Sequence, residues 1–73
     1  MSMVDLSPTP AEMRVLIWLS RGLSNKAIAA RLVLSPRTVE SHVSSLLAKA
    51  GCSNRSQLLL WAQANDKLSP VPA

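Results

Sequence analysis

The chain has 73 residues, no Phe or Tyr, and a formal net charge of +4 from eight Lys and Arg against four Asp and Glu. That length allows one small domain with an aliphatic core. The positive charge favours a polyanionic partner, although ribosomal and membrane-surface proteins share this balance. The four acids are scattered along the chain and there is a single histidine, so we expect no enzymatic activity.

Cysteine content and hydropathy limit which cofactors and which cellular compartment are expected. Cys52 is the single cysteine and has no nearby histidine, so it can form neither an internal disulfide nor a metal site. We expect no cofactor, and interpret Cys52 as a small buried hydrophobe. No apolar run approaches the roughly 18 residues of a membrane span, and no signal peptide is visible. These features predict a cytoplasmic protein without a membrane partner.

Capping signals and apolar periodicity predict four helices in chain order. Each helix follows a residue whose side chain can cap it: Thr9, Ser24, Ser35, and either Ser53 or Asn54. Proline follows the first and third caps, and a glycine stops the first and third helices. The predicted helices cover residues 10–21, 25–33, 36–50 and 54–66.

The apolar residues of each helix fall on one arc when successive residues are turned by about 100°. The predicted inward residues are Val15, Leu16, Trp18, Leu19, Ile28, Ala29, Leu32, Val39, Val43, Leu46, Leu47, Ala50, Leu58, Leu59, Trp61 and Ala62. No strand alternation, repeat or interdomain linker is visible. We therefore expect an all-α fold, with one domain over 9–66 between flexible segments at 1–8 and 67–73.

The second and third helices form the most informative pair. Only Leu34 and Ser35 separate the predicted helices, and so short a joint forces them to cross steeply, as in a helix-turn-helix. The outward arc of the third helix carries short, mostly polar side chains that fit a major groove about 12 Å wide. These residues are Arg37, Ser41, Ser44, Ser45 and Ala48, with Thr38 and Glu40 at the flanks. Basic residues outside this arc can reach phosphates, namely Lys26, Arg31, Lys49 and Arg55.

The same polar arc is also compatible with an ordinary solvated face. Three serines lower the intrinsic helix propensity of this segment. That cost suggests that the serines have a function, but it does not identify the function. Periodicity alone therefore leaves DNA binding and a plain surface helix both open.

The chain also carries an ordered series of spaced residues. Its segments are Thr9-Pro10-x-Glu12-x-x-Val15-Leu16, Gly22-Leu23-Ser24-Asn25-Lys26-x-Ile28-Ala29, Leu32-x-Leu34-Ser35-x-x-Thr38-Val39-x-x-His42-Val43 and Lys49-x-Gly51-x-x-Asn54-Arg55. Over residues 9–64 this series closely resembles the LuxR-type DNA-binding domain of bacterial transcription regulators. That family includes NarL- and FixJ-type response regulators and the small spore regulator GerE.

The resemblance implies sequence-specific binding of double-stranded DNA in the bacterial nucleoid, with the third helix in the major groove. By position, the residues that would face bases are Arg37, Glu40, Ser41, Ser44 and Ser45. Those that would lie along the phosphates are Asn25, Lys26, Thr38, Lys49 and Arg55. Glu40 stands where relatives often carry Lys, which affects the expected target sequence.

The resemblance also implies that the fourth helix pairs with a second copy. Residue spacing agrees, because Leu60 and Ala64 form a narrow apolar strip beside Gln57, with Trp61 at its edge. A symmetric dimer would set two recognition helices about one DNA turn apart on an inverted repeat. The strip is small, so we expect pairing mainly on DNA.

Two other functions stay open. One is a promoter-recognising region similar to that of a sigma factor, acting within RNA polymerase. The other is a helix-turn-helix protein-interaction module that has lost DNA affinity, an alternative that Glu40 and the serines support. A steep loss of DNA affinity with salt would separate DNA binding from this last alternative.

Partners follow from the leading hypothesis. We expect double-stranded DNA, a second copy of the chain, an N-terminal receiver or ligand-binding domain of a longer regulator, and RNA polymerase. A fragment of a longer regulator is expected, although a chain this short can also act alone.

Overall fold

The computed structural model describes residues 8–64, in which four helices and no strand occur. The helices are α1 (Pro10–Ser20), α2 (Asn25–Leu32), α3 (Pro36–Ala50) and α4 (Arg55–Ala64). The all-α prediction is confirmed. Apart from Pro8, the predicted flexible segments at 1–8 and 67–73 lie outside the described residues, as does the predicted end of the fourth helix at 66.

The predicted caps begin the helices. Thr9 Oγ1 accepts a hydrogen bond from the Glu12 N–H at 3.1 Å, and Glu12 Oε1 accepts one from the Thr9 N–H at 3.0 Å, which completes the capping box. Ser24 and Ser35 each accept a bond from the N–H three residues later, at 3.2 Å. These bonds satisfy amide groups that have no partner inside the helix.

The cap of α4 is Asn54, one of the two residues left open by the sequence. Its Oδ1 accepts a hydrogen bond from the Gln57 N–H at 2.9 Å. The Gln57 side chain reaches back past this cap, and its Oε1 accepts a hydrogen bond from the Ser53 N–H at 2.7 Å. α4 therefore starts at Arg55, one residue later than predicted.

The first three helices end in the same way. In each, an N–H just beyond the helix bonds to a carbonyl five residues earlier: Leu23 to Trp18, Leu34 to Ala29, and Cys52 to Leu47. The residue before each of these donors has a positive φ, namely Gly22 at 87°, Val33 at 56° and Gly51 at 69°. This is the Schellman-type ending in which glycine is favoured, because a left-handed backbone crowds any Cβ.

Two helices are one residue shorter than predicted. α1 ends at Ser20 because Arg21, with φ −94° and ψ 5°, has left the helical conformation. α2 ends at Leu32 because Val33 adopts the left-handed conformation, with φ 56° and ψ 48°. A β-branched residue is uncommon in this conformation, which is why the sequence predicted that the helix would include Val33.

The core consists of the buried apolar side chains of all four helices. They are Val15, Leu16, Leu19, Ile28, Ala29, Val39, Val43, Leu46, Leu58 and Ala62. The other predicted inward residues, and Cys52, are half-buried against this core: Trp18, Leu32, Leu47, Ala50, Leu59 and Trp61. α1 contacts each of the other three helices, including α3.

Within residues 8–64, no helix is long and apolar enough to cross a membrane. In the same part of the chain, no group of three or more His, Cys, Asp or Glu side chains is arranged to hold a metal ion.

Candidate nucleic-acid interface

α2 and α3 form a helix-turn-helix in which the turn comprises residues 33–35. The two helices pack through Ile28 and Ala29 on one side and Val39 and Val43 on the other, all of them buried. Leu34, in the turn, is 37% exposed.

Four side chains lie together on the exposed face of α3. Arg37, Glu40, Ser41 and Ser44 line one open depression at the surface. We call this set the α3 face. The guanidinium donates hydrogen bonds, the carboxylate accepts them and each hydroxyl can do either, so the set can match varied base edges. Within residues 8–64, Arg37 and Glu40 form no ion pair with each other.

Ser45, predicted to face bases beside them, lies at the edge of the α3 face that borders α1. It is half-buried and donates a hydrogen bond to the carboxylate of Glu12 in α1. Lys49, predicted to face phosphates, lies on that side too, with its Nζ 2.6 Å from Glu12 Oε1. Both side chains therefore join α3 to α1, and neither lines the depression of the α3 face.

The carboxylate that they share is buried, because Glu12 is only 5% exposed. Burial alone would raise the pKa of Glu12. Hydrogen bonds from Lys49, Ser45 and the Thr9 N–H, together with the charge of Lys49, outweigh burial and lower the pKa of Glu12 from 4.5 to about 2. Glu12 is therefore ionised at neutral pH, and its contact with Lys49 is an ion pair.

The sequence interpretation treated Glu12 only as part of a helix cap. The available signal was the spacing of Ser45 and Lys49, because residues four apart share one side of a helix. Which side of α3 faces α1 could not be read from that spacing.

Two residues expected at the phosphates bind each other at the start of α2. The Arg55 guanidinium donates one hydrogen bond to Asn25 Oδ1 and another to the Leu23 carbonyl at 2.6 Å. These bonds tie the start of α4 to the start of α2. Lys26, beside them, is exposed.

Thr38 is also exposed, and its hydroxyl lies 2.9 Å from that of Ser35 in the first turn of α3. The N-terminal ends of α2 and α3 therefore both carry polar groups, and helix N-termini favour anions.

The predicted dimer strip lies on α4. Leu60 is 66% exposed, and Gln57 and Ala64 are also exposed. Trp61 is half-buried and packs against the core, so only its edge can border the strip. The exposed apolar area is consequently small.

The contacting helices α2 and α3, joined by a three-residue turn, and the polar α3 face define a helix-turn-helix domain. Residues 6–62 match the family model of the bacterial regulatory proteins of the luxR family, a model known as GerE. The chain belongs to this family. This match favours the LuxR-type interpretation over a sigma-factor region.

Relatives of known organism agree with this assignment. The Mycobacterium bovis protein Mb0914c is 51% identical over 53 residues, which is 73% of this chain and 6% of that protein. Response regulator Rre1 of Synechocystis is 46% identical over 61 residues, covering 84% of this chain and 26% of its own length. The DNA-binding transcriptional activator DevR/DosR of Mycobacterium tuberculosis is 46% identical over 62 residues, covering 85% and 29%. The chain thus spans less than a third of each of these three relatives.

Proposed function

We propose that this domain binds double-stranded DNA sequence-specifically, with α3 in the major groove. The observation that carries the proposal is the α3 face, a set of exposed polar side chains on a helix that follows a tight turn. A helix of this kind fits the width of the major groove, in which each base pair presents a distinct pattern of donors and acceptors.

Each side chain of the α3 face has a defined capability. Arg37 can donate two hydrogen bonds to guanine, and Glu40 can accept one from the amino group of cytosine. Ser41 and Ser44 can donate or accept at short range. The acidic Glu40 disfavours nearby phosphates, so we propose that it selects sequence by what it rejects as well as by what it binds.

Phosphate contacts would come from the rim of this face. Lys26 and Thr38 are exposed near the starts of α2 and α3. Asn25 and Arg55 would act as a pair, because the guanidinium already holds the Asn25 side chain at the start of α2. Contacts of this type orient a protein on DNA without reading its sequence.

We infer a different role for Ser45 and Lys49 from the one that the sequence suggested. Their bonds to Glu12 support a positioning role, in which they hold α3 at a fixed angle on α1. The base-reading side chains then enter the groove from a rigid helix, which binding sites require.

Pairing through α4 is proposed to bring two domains onto an inverted repeat. Leu60, Gln57 and Ala64 would meet their own copies across a two-fold axis, with Trp61 at the edge. The small exposed strip supports weak pairing in solution and stronger pairing on DNA, where the second copy is held nearby.

At the level of the whole protein, we propose a role in transcription regulation within a longer polypeptide. The similarity to a response regulator and to a transcriptional activator supports this. A receiver or ligand-binding domain would then control DNA binding, and RNA polymerase would be a partner on the promoter.

One experiment tests the central proposal. Duplexes bound by the protein are selected from a random pool, and the selected site is titrated at several salt concentrations beside a scrambled duplex. We expect a recovered consensus, tighter binding to it than to the scramble, and a steep fall of affinity with salt. Recovery of no consensus, with weak and salt-insensitive binding, would instead favour the protein-interaction module.

A further inference from the structure

A tryptophan on the surface of α1 lies between two arginines. The Arg21 Cζ is 5.2 Å from the centre of the Trp18 ring, and the Arg31 Cζ is 4.8 Å from it. Both distances are within the range of cation–π contacts. Trp18 is half-buried, while the two arginines are exposed. Arg31 comes from α2, so the contact joins two helices.

A third arginine extends this cluster. Arg14 is exposed and lies four residues before Trp18, which puts it on the same side of α1. We call Arg14, Trp18, Arg21 and Arg31 the arginine–tryptophan patch. Within residues 8–64, none of its three arginines has a carboxylate within ion-pair distance. Its positive charge is therefore not neutralised by the described part of the chain.

The patch faces away from α3. At about 100° per residue, Arg14 lies about 160° and Trp18 about 120° around α1 from Glu12. Glu12 is the residue that pairs with Lys49 of α3. DNA held by the α3 face would therefore lie on the opposite side of α1 from Arg14 and Trp18, so phosphate binding at that face does not explain this patch.

We propose that the arginine–tryptophan patch binds an acidic segment of a partner protein. Carboxylates of the partner would pair with the guanidinium groups, and an apolar side chain would cover the exposed part of the Trp18 ring. Arginine forms two parallel hydrogen bonds with a carboxylate and stacks on an aromatic ring at the same time. Stacking on Trp18 also orders Arg21 and Arg31 before binding, which lowers the entropy lost in the complex.

The types of residue support a protein partner. Trp and Arg are the residues most often found to dominate the energy of protein interfaces. A merely solvated face would not need a large ring that contacts two cations, one in α2 and one just after α1. This inference does not rest on DNA binding.

The test uses the isotope-labelled full chain and a short synthetic peptide of alternating Glu and Leu, with the corresponding Gln and Leu peptide as its control. In amide NMR spectra, we expect the acidic peptide to shift the indole N–H signal of Trp18 and to leave that of Trp61 in place. The neutral peptide should shift neither. Absence of a Trp18 shift with the acidic peptide would overturn the proposal.

Two double variants locate the binding site. Arg21→Gln with Arg31→Gln removes two charges from the patch, and Lys26→Gln with Arg37→Gln removes two exposed charges elsewhere. We expect the first to weaken peptide binding at least about fivefold and the second less than about twofold. Circular dichroism of both variants checks the fold.

Equal losses in both double variants would show diffuse charge attraction rather than a site, and would overturn the proposal. DNA affinity should fall more for Lys26→Gln with Arg37→Gln than for the patch variant. A comparable loss of DNA affinity in the patch variant would assign these arginines to nucleic acid, which also overturns it.

Discussion

The ammonium of Lys49 in α3 lies 2.6 Å from the carboxylate of Glu12 in α1, and that carboxylate also accepts the N–H of Thr9, which caps α1. One buried acid thus connects the first turn of α1 with the last turn of α3. The contact joins α3 to α1 across 37 residues of the chain.

Removing the cation should therefore destabilise the fold. Lys49→Met leaves the buried carboxylate of Glu12 without its charged partner, and we expect a loss on the order of 3 kcal/mol in the free energy of unfolding. Adding Glu12→Gln should recover part of this loss, because no buried charge remains. Urea unfolding gives both values, and Lys26→Met serves as the control at an exposed lysine. If the loss in the double variant equals the sum of the losses in Lys49→Met and Glu12→Gln, the two residues are not coupled.

The same double variant tests the role of Lys49 on DNA. If Lys49 only positions α3, the slope of log affinity against log salt should match that of the unmodified protein. A slope flatter by about 0.9 would reveal a direct phosphate contact.

Stability should fall in acid because of Glu12. Its pKa is lowered from 4.5 to about 2 on folding, so its contribution is present above pH 4.5 and is lost as the pH falls towards 2. That shift corresponds to at most about 3 kcal/mol. Unfolding free energies measured between pH 6 and pH 2 should decline less steeply in Glu12→Gln than in the unmodified chain.

Base readers and phosphate contacts should respond differently to substitution. Ser44→Ala should cost about 1–3 kcal/mol at the cognate site and relax preference at one position. Lys26→Gln should weaken binding to all duplexes and flatten the salt slope by about 0.9. Ser56→Ala and Arg14→Gln are matched controls outside the interface. A change in sequence preference with Lys26→Gln would contradict the assigned roles.

Val33 should be replaceable with a gain in stability. Its left-handed backbone is unfavourable for a branched residue, and its side chain is 90% exposed, so little packing is lost on substitution. Val33→Gly should raise the free energy of unfolding by about 0.5–1 kcal/mol, after allowing for the greater entropy of the unfolded chain. Val33→Ala, which keeps a Cβ, should gain less. Destabilisation by Val33→Gly would show that the exposed side chain makes a favourable contact.

Leu60→Glu should reduce cooperative binding to a duplex with two half-sites and leave the affinity for one half-site unchanged. The reason is that a carboxylate from each copy would meet at the two-fold axis. Leu60→Gln separates the loss of apolar contact from charge repulsion. Gel-shift titrations on both duplexes measure the effect. Equal losses on both would indicate a folding defect, and no loss would remove Leu60 from the interface.

The local features of this protein could be predicted from its sequence. The bonds from Thr9, Ser24 and Ser35 each reach only three residues along the chain, so a capping residue and its helix identify one another. The inward arcs were predictable for the same reason, since they depend only on the period of a helix. The four helices and the exposure of Ser41 and Ser44 follow from these local rules.

Tertiary packing decided the remaining features. Ser44 and Ser45 are neighbours in the sequence, yet only Ser45 bonds to Glu12, because the angle at which α3 lies on α1 determines which edge of the arc is covered. Lys49 is a basic residue like Lys26, but a partner 37 residues away holds it. Val33 leaves the helix against its local preference because the chain must turn there before Ser35 can cap α3. A sequence pattern fixes the period of each helix, whereas contacts between helices depend on rotations and crossings that only the assembled core defines.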